Sequence, residues 1–174
     1  MAVTIVPTPG SATANSYVSL AEAEVYCEAR LNVDTWDAAS DDTKNRALVE
    51  STRELTTMTW DGWRVTSTQA LAWPRQWALD PDSPDATYFD STIVPQRVKD
   101  ACCELALQFV LAGTTDLAAI PSETNIKRKK IDVLETEYFS ASATPRGLGR
   151  FPRVMALIRP LLAGSGITTS VVRG

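Results

Sequence analysis

The sequence predicts a mainly α protein: a small helical bundle with a short β element, an extended N-terminal arm, and a C-terminal helix and tail. Three observations carry this. Val98, Ala101, Cys102, Leu105, Ala106, Phe109 and Val110 recur at three- and four-residue steps, as one buried helix face requires. Ser19 and Glu22 have the spacing of a capping box at a helix start. Between these two segments, residues 59–94 hold Gly62, Pro74, Pro81 and Pro84, a density that forbids a long helix.

The elements follow in order. Residues 1–16 are rich in Thr, Ala, Pro and Ser and read as an extended arm. A first helix runs to about Leu31, with Leu20, Ala23, Val25, Tyr26 and Ala29 on its apolar face. Residues 32–40 form a turn around Trp36. A second helix spans Asp41 or Asp42 to Met58, its early acids suited to the positive helix start. The loop after it holds Trp60, Trp63, Trp73 and Trp77, expected to anchor it on the helices. Pro95 opens the strongest helix and Gly113 closes it. Residues 126–138 favour strands, but no Asn-Gly turn fixes a register. Residues 140–150 read as a linker. A last helix spans Pro152 to Leu162, with Pro160 expected to kink or shorten it, before a tail from Gly164. The organisation is thus an arm at 1–16, a core at 17–139, and a C-terminal unit at 140–174.

The 174 residues suffice for one core without disulfides. Cys27, Cys102 and Cys103 form no CxxC pair, and no histidine exists to complete a zinc site. They read as buried, reduced thiols. The missing histidine also removes every Ser–His or Cys–His nucleophile scheme. No Walker, GxGxxG or HExxH motif occurs. Carboxylate, lysine or metal–carboxylate mechanisms stay open, but no motif stands behind them, and the expectation is a chain with no catalytic residue, cofactor or metal. The opening MAVTIVPTPG lacks the basic and apolar regions of a secretory signal, and no apolar run is long enough to span a membrane.

Net charge is −4, unevenly placed: residues 1–90 carry 14 acidic and 6 basic side chains, and the remainder 7 and 11. Opposite ends of this kind suit different neighbouring surfaces. The densest cation run is Lys127, Arg128, Lys129 and Lys130. It reads either as a basic rim for phosphates or an acidic partner, or as a solvated strand edge. Around the tryptophans, Asp80, Asp82, Asp85 and Asp90 outnumber Arg64 and Arg75. This favours packing for Trp60, Trp63 and Trp73 over base stacking. Asp80, Asp82 and Asp85 lack the glycine and late glutamate of a calcium loop.

Several strings together resemble one phage family. They are ANSYVSLAEAE at 14–24, which includes Tyr17, then Tyr26, Ala29, Arg30, Leu31 and Trp36, and QALAWPR at 69–75 with Gln69, Trp73, Pro74 and Arg75. Ala47 and Leu48, Ile93-Val94-Pro95, Ala101, Glu104, Leu105, Ala106, Ile126, Lys127, Glu137, Tyr138, Phe151 and Pro152 continue the likeness over about residues 14–163. The family is that of head–tail connector, or adaptor, proteins of tailed phages. Some members carry a DnaT-like single-stranded-DNA-binding label.

The resemblance implies a structural subunit of the virion neck, made in the host cytoplasm. It would dock under the portal protein as a homo-oligomeric, dodecameric ring around the channel for double-stranded DNA. A stopper or tail-completion protein would bind the other side. On this reading the C-terminal unit docks on the portal through Phe151, Val154, Leu157, Ile158, Leu161, Leu162, Ile167, Val171 and Val172. The competing reading of residues 152–163 is a closing helix of the same bundle. The segment from Trp77 to Asp90 is longer than the family pattern expects. The alternative function is a single-stranded-DNA-binding module of a phage.

Overall fold

A computed structural model describes residues 2–117, 119–120, 129–131, 134–136 and 147–164. The chain is mainly helical, with two small antiparallel ribbons among the described residues. Its α-helices are α1 (Leu20–Glu28), α2 (Asp34–Asp37), α3 (Asp41–Thr56), α4 (Gln96–Ala112) and α5 (Pro152–Ile158). Strands β1 (Trp63–Arg64) and β2 (Arg75–Gln76) form one ribbon, and β3 (Lys129–Ile131) and β4 (Leu134–Thr136) the other.

Helix α4 is the centre. Val98, Ala101, Cys102, Leu105, Ala106 and Phe109 are all buried, as their spacing requires. Each large apolar side chain taken out of water contributes roughly 1.5–3 kcal/mol. Pro95 supplies the N-cap, and Gly113 closes the helix at φ +65°, a left-handed conformation that glycine adopts without Cβ strain. Helices α1, α2, α3 and α5 all pack on α4. Against it α3 buries Ala47, Leu48, Ser51, Thr52 and Leu55. The Cys102 thiol lies 3.2 Å from Ser51 Oγ and 3.3 Å from Thr52 Oγ1, so the polar atoms at this seam satisfy one another.

Helix α1 begins with the expected capping box: Glu22 N donates to Ser19 Oγ, and Ser19 N to Glu22 Oε2. It ends at Glu28, short of the expected Leu31, and the chain then turns through Asn32 at φ +60°. Only Ala23 and Cys27 of α1 are buried, whereas Val25 is 68% exposed. Tyr26 and Leu20 pack partly on the core. In the turn that follows, Trp36 is fully buried on the single-turn helix α2. Its Nε1 donates to Glu24 Oε2 at 3.0 Å, and Lys44 Nζ donates to the other Glu24 oxygen at 2.8 Å. Lys44 also stands 5.5 Å from the Trp36 ring centroid, so burial of this cation is offset from two sides.

Residues 2–16 have no regular secondary structure, and they lie back on the bundle. Val3 N donates to Asp42 Oδ1 and Asn45 Nδ2 to the Val3 carbonyl. Val6 and Asn15 exchange hydrogen bonds, which closes the intervening residues into a loop.

Pro160 acts as its chemistry dictates. The α-helical part of α5 stops at Ile158, and residues 159–161 continue as a 3-10 turn. The side of α5 expected to dock on a portal is occupied within its own chain. Phe151, Val154, Ile158 and Leu161 are buried, and Leu157 and Leu162 pack partly against the core. An apolar stripe signals burial and cannot say against what; here α4 covers it. The stretch from Gly147 to Arg150, expected in the linker, is a 3-10 turn with Leu148 buried. Arg150 donates to the Leu117 and Ile120 carbonyls. Beyond α5 the chain is tied to the start of the tryptophan loop. Asp61 N donates to the Leu161 carbonyl at 3.0 Å and Ala163 N to the Thr59 carbonyl at 2.9 Å.

Candidate functional site

The string QALAWPR is a structural staple. Gln69 is buried, and its Nε2 donates to the Leu71 carbonyl at 2.9 Å and the Pro74 carbonyl at 3.0 Å. Its Oε1 accepts from Thr66 N, so one amide holds three main-chain groups of a loop that lacks regular structure. The Trp73–Pro74 peptide is cis. Trp73 is buried, edge-on to Trp60 and to Phe89 with both centroids 5.8 Å away. Tyr17 is buried too, and its hydroxyl meets Thr56 Oγ1 at 3.0 Å. Arg75 turns inward and donates to the carbonyls of Trp60, Asp61, Gly62 and Ala72. Burial, and then the charge of Arg64, lower its basicity.

This staple carries the β1–β2 ribbon, in which Trp63 pairs with Gln76 and Arg64 with Arg75. Gly62 sits at φ +67°, and a Cβ there would lie 2.4 Å from the Gln76 carbonyl oxygen and 2.8 Å from the Trp77 carbonyl carbon. The register sets Trp63 opposite Gln76, so Trp77 follows directly on the residue that pairs with Trp63. Both face outward: Trp63 is 66% exposed and Trp77 61%. Tyr88, 54% exposed, stands edge-on to Trp77 with centroids 5.4 Å apart, and Leu79 and Ile93 are exposed as well. Packing was the expected role for Trp63. The structure buries Trp60 and Trp73 and leaves Trp63 in solvent, because a two-residue strand gives it no opposing layer.

The acids around the ribbon are engaged locally. Asp82 pairs with Arg97 through both carboxylate oxygens, at 2.9 and 2.7 Å. Asp61 accepts from Leu79 N, Asp80 from Asp82 N, and Asp90 from Thr92 N and Oγ1. Those last two bonds hold the Asp90 carboxyl below the usual range. Of the basic run, Lys129 and Lys130 fall on β3, while Lys127 and Arg128 lie outside the described residues. Ile167, Val171 and Val172 also lie outside them.

A second polar cluster is internal. Glu104 on α4 is 3% exposed and accepts from Tyr26 Oη at 2.9 Å and Arg30 Nη2 at 3.0 Å, with Arg153 Nε at 3.3 Å. It joins the chain near α1 and α5 to α4. Burial, reinforced by Glu104, pushes the Tyr26 hydroxyl up to about 12. Burial likewise raises all three thiols, Cys27 to about 12. A thiol held protonated is a poor nucleophile. No group of His, Cys, Asp and Glu among the described residues is arranged to hold a metal ion. No described helix is long and apolar enough to cross a membrane.

Fold and surface together define a small helical protein that displays an aromatic ribbon on a stapled loop. A family model described as "Putative DnaT-like ssDNA binding protein" matches residues 1–174, and the chain belongs to that family. Comparison with curated proteins and with solved structures finds no match.

Proposed function

We propose that this chain works by binding rather than by catalysis, and that its ligand is single-stranded DNA. The observation that carries this reading is the match of the whole chain to a family described by that activity. The exposed Trp63, Trp77 and Tyr88 support it, since single-strand binders stack bases on aromatic side chains. The experiment is an electrophoretic titration of fluorescent oligodeoxynucleotides at physiological salt. Saturable retardation of single strands, with little retardation of the matching duplex, is the expected result. An unshifted single strand at large protein excess overturns the reading.

A second reading is favoured by the mixed character of the ribbon. Leu79 and Ile93 are exposed within the same 59–94 segment, and its Asp80, Asp85 and Asp90 repel phosphate. Exposed apolar side chains in an uncationic setting suit a protein partner. This is the head–tail connector that the sequence resembles: a dodecameric ring under a phage portal, passing double-stranded DNA and joined to a stopper or tail-completion protein. On this reading the tail, with Ile167, Val171 and Val172, contacts the portal. Co-sedimentation with portal, weakened by deletion of residues 164–174, is then expected. Failure of the full chain to sediment with portal rejects it.

A further inference from the structure

We infer that the β1–β2 ribbon is the base-stacking element: Trp63 and the Trp77–Tyr88 pair receive successive bases, and Arg64 meets an adjoining phosphate. This rests on the single-stranded-DNA reading and assigns the place and the kind of contact.

Four observations lead there. Large aromatic surface is costly to leave in water, yet Trp63, Trp77 and Tyr88 are each more than half exposed. The three come from one small region, since Trp63 pairs with Gln76, the chain neighbour of Trp77, and Tyr88 stands edge-on to Trp77. The backbone beneath is fixed in advance by Arg75 on four carbonyls and by the Trp60–Trp73 edge contact. Ordering the platform therefore adds little to the entropy of binding. Finally, Arg64 is exposed on the ribbon and forms no ion pair among the described residues, whereas nearby Arg97 is committed to Asp82.

The electrostatics set the character of the contact. Asp80, Asp85 and Asp90 keep the surroundings acidic, so a cationic groove is not what holds the strand here. Stacking carries the affinity. One phosphate contact on a single strand gives a log–log salt slope of about −0.7. A strand held by the whole run from Lys127 to Lys130 would give a slope several times steeper.

The test titrates oligothymidylate into the full chain, following tryptophan fluorescence and the anisotropy of labelled DNA across a salt series. Trp63→Ala and Trp77→Ala should each weaken binding about ten-fold or more, within the 1–3 kcal/mol range of single stacking contacts. Trp63→Phe should retain most of the affinity. Both alanine variants should melt like the parent, since their side chains are already in solvent. Arg64→Ala should flatten the shallow salt slope further. If the parent binds but the alanine variants bind equally well, or the slope is steep, this assignment is wrong while the single-strand reading stands. If the parent does not bind, both fall. A change in self-association of the variants, read by sedimentation velocity without loss of DNA binding, gives the ribbon to a second copy instead and also overturns the assignment.

Discussion

Arg75 Nε donates to the Asp61 carbonyl at 2.6 Å, so a charged side chain from β2 holds the main chain that leads into β1. The guanidinium is part of the loop's backbone accounting, because it gathers donors onto the carbonyls of Trp60, Asp61 and Gly62 at once.

Gly62 is where this arrangement is most sensitive. Its φ of +67° and the 2.4 Å approach of an added Cβ to the Gln76 carbonyl oxygen leave no room for a side chain. Gly62→Ala should cost at least about 2 kcal/mol, through left-handed strain plus a forced backbone shift. A urea melt measures this. A parent-like midpoint would mean that the ribbon and its root are less tightly apposed.

Trp73→Ala should cost roughly 3–5 kcal/mol, since it empties a site bounded by Trp60 and Phe89. Trp73→Phe should cost clearly less. The buried Trp73 Nε1 has no hydrogen-bond partner among the described residues, so the substitution also removes a donor they leave unsatisfied. Equal losses in thermal melts of the two variants would contradict this.

Glu104 and Arg153 share one contact but not one environment. Glu104→Ala strips the partner from Arg30 and from Tyr26 in the interior and should cost about 3 kcal/mol. Arg153→Ala should cost under about 1 kcal/mol, because that side chain is mostly in solvent. Comparable losses for both would show the cluster to be less buried than described.

Alkali should unfold the chain through its buried acids. Tyr17 and Tyr26 move from 10.0 to about 12 on folding, and Cys27 from 9.0 to about 12. The unfolded chain loses these protons first, so the associated stability is complete below the ordinary values. It is lost as pH rises from about 9 through about 12. Denaturant midpoints should therefore fall steadily over that window. At neutral pH a thiol reagent should label none of the three cysteines until the chain is denatured. Rapid labelling of the native protein would disprove their burial.

Much of the bundle was legible because local rules decide it. The period along α4, the Ser19–Glu22 box, Gly113 and Pro160 each specify a conformation through neighbours a few residues away. The exposed aromatic surface was not legible in the same way. Trp63 and Trp73 share a loop and a residue type; what separates them is that Phe89 and Trp60 close over one, and none of the described residues closes over the other. Glu104 was visible only as part of a resemblance, since its partners Tyr26, Arg30 and Arg153 are distant in the chain. The stripe on α5 was read correctly as apolar, but an amphipathic pattern carries no address, and its own bundle claims it.

The pairing of residues 161–163 with residues 59–61 makes the last helix and the root of the tryptophan loop one mechanical unit. A tug applied beyond Gly164 would be delivered first to Thr59 and Asp61, at the foot of the ribbon. Anything that seized the chain at that end would thereby report on the aromatic surface, without any helix in between having to swing.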